Sequence, residues 1–144
     1  MNLQKTGLGL LAAAFCLIIM INPAIFAQSE NDKVAALEAD GDYFRQTLGG
    51  GPEDYNLEFN LPNPFTTNTT IRFAIPAKNN LAVKVYNNNW EVVRTLVNGE
   101  VDKGFYKVDW DGKNDQGQQV AHGIYYYRLK ADAYDQVGKM YFLD

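Results

Sequence analysis

Residues 61–76 read LPNPFTTNTTIRFAIP, and the two halves of this stretch obey different rules. In the second half Ile71, Phe73 and Ile75 alternate with Thr70, Arg72 and Ala74, the period of a strand with one buried face. The first half can be neither ladder nor helix. Pro62 and Pro64 lack the backbone N–H a sheet needs, and each biases its predecessor toward extended backbone. The stretch therefore reads as a stiff lead-in crossing the end of a β-sandwich. Phe65 plugs the core there, a strand follows over 69–75, and Pro76 ends the pairing.

The period of two continues along the chain. Leu81, Val83 and Val85 alternate with Ala82, Lys84 and Tyr86, and residues 91–97 form another run. Tyr106, Val108 and Trp110 share one face of 105–110, and 124–131 and 137–143 add two more runs, with YNLEFN at 55–60 as the first strand. Turn formers separate them: Asn79-Asn80, Asn87-Asn88-Asn89, Asn98-Gly99, Lys103-Gly104, Asp111-Gly112 and Gln116-Gly117. Seven short strands at this spacing predict an all-β fold, a seven-stranded Ig-like or fibronectin-III-like β-sandwich over 55–144.

Upstream of it the composition changes. Lys5, the uncharged apolar run over 7–21, the Asn22-Pro23 break and Ala27 before a polar segment have the anatomy of a signal peptide at 1–27. The run is shorter than the roughly 20 residues of a membrane span, so no membrane span is expected once the signal is cleaved. The single Cys, Cys16, leaves with it, and so does disulfide chemistry. Residues 28–54 are polar and charged, with Val34, Leu37, Phe44 and Leu48 as a weak helical stripe ended by Gly49-Gly50-Gly51-Pro52. They read as a linker or a short amphipathic helix. The net charge of −4 opposes binding to phosphate backbones, and nucleic acid is not expected as a partner.

Several motifs occur in register: Pro62-Asn63-Pro64-Phe65, Trp110-Asp111-Gly112, GIYYYRL at 123–129 and a closing GKMYFL at 138–143. Together they resemble the type A C-terminal sorting domain of type IX secretion cargo, and the related Ig-like domain of the flagellar hook-capping protein. The resemblance runs from about residue 57 to 144. It implies a non-catalytic module, read by an outer-membrane translocon, that directs export across the outer membrane and attachment to the cell surface. The signal peptide favours the secretion family over the flagellar one, so the chain is expected to pass through the periplasm to the surface or the medium. The resemblance also implies recognition through Pro62, Asn63, Pro64 and Phe65 and through Lys139, Met140, Tyr141, Phe142 and Leu143, with strand edges presented to the translocon. The alternative is a structural or adhesive Ig-like subunit of a surface or hook-like assembly, whose partners are other assembly proteins. Where the family has a glycine-containing turn, this chain has Asn88-Asn89-Trp90, and Trp90 reads either as an exposed interface anchor or as a ring packed over the end of the sandwich.

The inventory for catalysis is thin. One Ser (Ser29), one His (His122) and no Cys beyond the signal cannot assemble a nucleophile with its base, and no cofactor motif is present. Asp109, Asp111, Asn114 and Asp115 are dense in hard oxygen ligands beside Gly112 and Gly117. However, Lys113 interrupts the EF-hand pattern and no Glu closes it, so they are weak calcium candidates against a turn capped by its own side chains. Tyr125, Tyr126 and Tyr127 could stack sugars or bases, but alternation sends the outer two to one face and Tyr126 to the other.

Overall fold

The computed structural model describes residues 37–39 and 51–144. The signal peptide expected at 1–27 lies outside the described residues, as does most of the 28–54 segment and with it the linker-or-helix expectation. Eight strands occur among the described residues: β1 (Glu38–Ala39), β2 (Asn56–Leu57), β3 (Thr69–Ile75), β4 (Asn79–Tyr86), β5 (Val92–Val101), β6 (Gly104–Trp110), β7 (Gly123–Ala131) and β8 (Tyr134–Phe142). They form two antiparallel sheets, ordered β1-β6-β3-β2 and β5-β4-β7-β8, with inner faces packed on each other as in an Ig-like sandwich. The seven strands expected from the alternation are all present. β1, in the 28–54 segment, is an addition, pairing Glu38 with Lys107 and Ala39 with Tyr106.

The side chains that alternate inward make one core, in which Ile71, Phe73, Ile75, Val83, Val85, Val97, Trp110, Leu129, Met140 and Phe142 are essentially inaccessible to solvent. Each such side chain contributes about 1.5–3 kcal/mol by leaving water. In β5, Thr95, Leu96 and Val97 are buried in succession. The pairing slips there, from Val83↔Val97 to Lys84↔Thr95, and the β-bulge turns an extra residue inward.

Three expectations shift. Asn79-Asn80 and Asn98-Gly99 lie inside β4 and β5, and the β3–β4 and β5–β6 reversals come at 76–78 and 102–103 instead. Gly99 stays in the ladder opposite Leu81 with a φ of 145° that favours glycine. The 55–60 strand shrinks to Asn56–Leu57 because Asn60 turns inward. Buried, it donates from Nδ2 to Thr69 Oγ1 at 3.0 Å and to Pro62 O at 3.3 Å, which turns Phe59 out into solvent at 89 % exposure.

Tyr127 crosses the core to hold this irregular strand. Its hydroxyl donates to Glu58 O at 2.8 Å and accepts from Asn60 N–H at 3.0 Å. Burial raises the Tyr127 phenol above its ordinary value of 10.0, as it does for Tyr125 and Tyr134 and, with the Asp102 carboxylate adding to it, Tyr106. Above pH 10 the folded chain thus holds protons the unfolded chain has lost, so stability falls as pH rises. Denaturant unfolding should show a stability contribution fully present up to about pH 10 and lost above it, with tyrosinate absorbance rising together with unfolding.

Candidate functional site

The two segments singled out from the resemblance meet in space. β8 is an outer strand of its sheet, and residues 62–65 lie along its free edge. The Asn63 side chain imitates a strand residue: Nδ2 donates to Lys139 O at 3.1 Å, and Oδ1 accepts from Tyr141 N–H at 2.9 Å. Phe65 then pairs through its backbone, donating to Tyr141 O at 3.0 Å and accepting from Leu143 N–H at 2.9 Å, as a short parallel bridge to Phe142. The Leu61–Pro62 and Asn63–Pro64 peptide bonds are cis. Thr69 Oγ1 donates to Pro62 O at 2.7 Å and fixes the root of the arm to β3.

Phe65 is only 2 % exposed. Its ring stacks on Phe142 with centroids 4.9 Å apart and meets Trp110 edge-on at 5.6 Å, the plug its position implied. Of the closing residues, Met140 and Phe142 point into the core, while Lys139, Tyr141 and Leu143 point out. Lys139 Nζ sits 5.9 Å from the centroid of the Tyr141 ring, within cation–π range. At residues 139–143 the arm occupies the β8 edge, leaving the side chains of Lys139, Tyr141 and Leu143 exposed there. Asn63→Ala should cost about 1 kcal/mol, two exposed hydrogen bonds at the low end of their worth. Amide exchange would register it as faster exchange at Tyr141 and Leu143 than at the rest of β8.

The acidic loop residues do not converge. Asp109 Oδ1 accepts from Thr70 Oγ1 at 2.6 Å on the outer face of the first sheet. Asp111 accepts from Lys113 N–H at 3.2 Å and pairs with Lys113 Nζ at 3.4 Å. Asn114 Oδ1 accepts from the N–H groups of Gln116 and Gln118 at 3.0 and 2.9 Å, the loop closing on its own amides. Asp115 reaches β5, the opposite outer strand, accepting from Thr95 N–H at 3.1 Å while its own N–H donates to Val93 O at 3.0 Å. Arg94 adds a bond to Asn114 O at 2.7 Å. Each outer edge of the β5-β4-β7-β8 sheet is therefore met over part of its length by an Asx residue from another part of the chain. Among the described residues no group of three or more His, Cys, Asp or Glu side chains is arranged to hold a metal.

The loop is positioned by its Trp110-Asp111-Gly112 start. Trp110 Nε1 donates to Lys113 O at 2.9 Å. Gly112 adopts a φ of 69° and lies against Phe142, where a Cβ would come within 2.7 Å of the ring. The motif thus joins the 111–119 loop to the same aromatic cluster that seats Phe65.

Residues 56–135 match the family described as the FlgD Ig-like domain, more than half of the chain. The chain belongs to that family. Two solved structures from Porphyromonas gingivalis are similar to this FlgD Ig-like domain. One is dimeric latent PorU, 20 % identical with a TM-score of 0.50 over 66 % of this chain and 10 % of the other. The second is PorZ, described as an essential bacterial surface component of the type-IX secretion system, 17 % identical with a TM-score of 0.45 over 62 % of this chain and 12 % of the other. The chain spans about a tenth of either protein. No curated protein matches the sequence.

Trp90, singled out as an interface residue, sits in the β4–β5 turn with a φ of 61° and is 53 % exposed. Asn87 builds the turn, its Oδ1 accepting from the N–H groups of Asn89 and Glu91 at 2.9 and 3.0 Å. The alternation places Tyr126 on the outer face as expected, with Tyr125 and Tyr127 buried. The sequence gives no sign that Trp90 folds back over Tyr126, since the two are distant in the chain.

Proposed function

We propose that this FlgD Ig-like domain is an exported, non-catalytic module that acts as a C-terminal sorting and surface-attachment signal for type IX secretion. The observation that carries the reading is the pairing of residues 62–65 with residues 139–143. Two stretches matching the sorting family's motifs, at opposite ends of the domain, form one continuous surface, with Phe65, Met140 and Phe142 as its buried footing. The translocon contacts would be Pro62, Pro64, Lys139, Tyr141 and Leu143, with Asn63 locking the two segments together. Such a site recognises shape and side chains and needs neither a catalytic group nor a cofactor.

The test is a transplant. Residues 28–144 are placed behind a periplasmic reporter in a host with type IX machinery, keeping β1 because it pairs with β6. The expected result is reporter on the cell surface or in the medium. It should be retained in the periplasm when Tyr141→Ser and Lys139→Ser are introduced together, since both side chains are exposed and the fold does not depend on them. Removal of 139–144 would be uninformative because it strips Phe142 from the core. Retention of the reporter with the domain folded and unaltered would overturn the sorting reading. It would turn attention to a structural or adhesive subunit, for which the half-exposed Trp90 is the contact.

A further inference from the structure

The outer face of the β5-β4-β7-β8 sheet carries a second surface, which shares Lys139 with the sorting surface and otherwise uses other residues. Register across β4, β7 and β8 places Tyr86, Tyr126 and Lys139 in one row, Lys84, Arg128 and Val137 in the next, and Ala82, Lys130 and Asp135 in the third. Trp90 lies over the first row. Its ring stacks on Tyr126 with centroids 5.0 Å apart and planes 20° from parallel, and it meets Tyr86 at 5.8 Å. One indole face is thus covered by Tyr126, and much of the rest of the ring is open to solvent.

This arrangement is costly. A φ of 61° suits glycine and strains a bulky side chain, and half of a large apolar ring is left in water. The charge on this face also runs against the acidic chain. Lys84, Arg128, Lys130 and Lys139 face outward with the carboxylates of Asp135 and, on β5, Glu100, and Asp135 is taken up by Arg128 through bonds of 2.6 and 2.5 Å. The bidentate pair raises the guanidinium and lowers the Asp135 carboxyl from their ordinary values. Lys130 also lies in the field of Asp135 and Glu100 on β5 is taken up by Lys78, so Lys84 and Lys139 are the lysines of this face with no ion pair among the described residues.

We infer that this face binds an acidic glycan. The apolar face of one pyranose ring packs on Trp90, and carboxylates of the neighbouring sugars meet Lys84 and Lys139. Geometry favours a glycan over an acidic peptide. A peptide gains most on a sheet by adding as a strand, and the edges flanking Trp90 are occupied, at Lys139–Leu143 by Asn63 and Phe65 and at Val93 and Thr95 of β5 by Asp115. A sugar ring needs no edge: its C–H face stacks on a flat aromatic while its hydroxyls stay hydrated.

The experiment titrates the full-length chain with oligogalacturonate, with dextran oligosaccharide of equal length and with poly-L-glutamate, following tryptophan emission and binding heat. Trp110 is fully buried, so an emission change reports Trp90. Saturable binding of oligogalacturonate is expected, at least tenfold tighter than dextran or poly-L-glutamate. Trp90→Gly should weaken it at least tenfold by calorimetry while thermal unfolding stays cooperative, because glycine accepts the turn's φ. Combined Lys84→Gln and Lys139→Gln should remove most of its salt dependence. Absence of saturable oligogalacturonate binding would overturn the proposal. So would equal binding of poly-L-glutamate that survives Trp90→Gly, the behaviour of a surface selecting charge alone.

Discussion

Phe65→Ala should lower the unfolding free energy by about 3–5 kcal/mol, the range for deleting a buried aromatic ring, as measured by denaturant melts. Phe65 is buried between Phe142 and Trp110, and alanine leaves a cavity that Phe142 can fill only by leaving Gly112. The consequence reaches past the core. The backbone of residue 65 pairs with Tyr141 and Leu143, so a loosened ring also loosens the arm from β8. Amide exchange at Leu143 should accelerate more than stability loss alone requires. If Leu143 and a central amide such as Val83 accelerate equally, the arm is not anchored through Phe65.

Gly138→Ala should cost about 3 kcal/mol, an unusual penalty for one methyl group at a strand edge. A Cβ at Gly138 would lie 2.0 Å from Tyr127 Cζ and 2.3 Å from its hydroxyl. Tyr127 is buried and committed to Glu58 and Asn60, so relieving the overlap means overpacking the core or breaking both bonds, each worth roughly 1–3 kcal/mol. The double variant with Tyr127→Phe separates these contributions. If the hydroxyl is the obstacle, the second substitution should recover part of what the first loses, whereas purely additive costs would show the clash lies elsewhere.

Alternation located the seven principal strands because each has one face in the core and one in water, and local sequence records that contrast directly. It failed where side chains override the period. YNLEFN reads as a strand through residue 60, yet the Asn60 amide is worth more turned inward, to Thr69 and Pro62, than Phe59 loses by turning out. Asn98-Gly99 has the composition of a turn, but a glycine at a φ of 145° can remain in a ladder, and Val101 still belongs to the core. β1 is two residues long and displays no period. Local chemistry placed Phe65 as a plug and Trp90 in the open. The bonds from Asn63 to Lys139 and Tyr141 span 76 and 78 residues, and no window of sequence contains both partners. The four loop acids and amides were visible as a cluster in sequence and dispersed in space because three found a backbone N–H and Asp109 the Thr70 hydroxyl.

The long reach of the Asn63 arm also governs when the domain can form. Closing a loop of this length costs entropy that only the final contacts repay, and those contacts need residues 139–143, at the far end of the sandwich. Before β8 arrives, β7 has an open edge, Trp110 lacks Phe142, and the arm has nothing to bind. A chain emerging from N- to C-terminus therefore stays unfolded through nearly the whole of its synthesis and then completes its core and seals its edge in one event. That ordering makes β8 the strand on which completion of the core and sealing of the edge both depend.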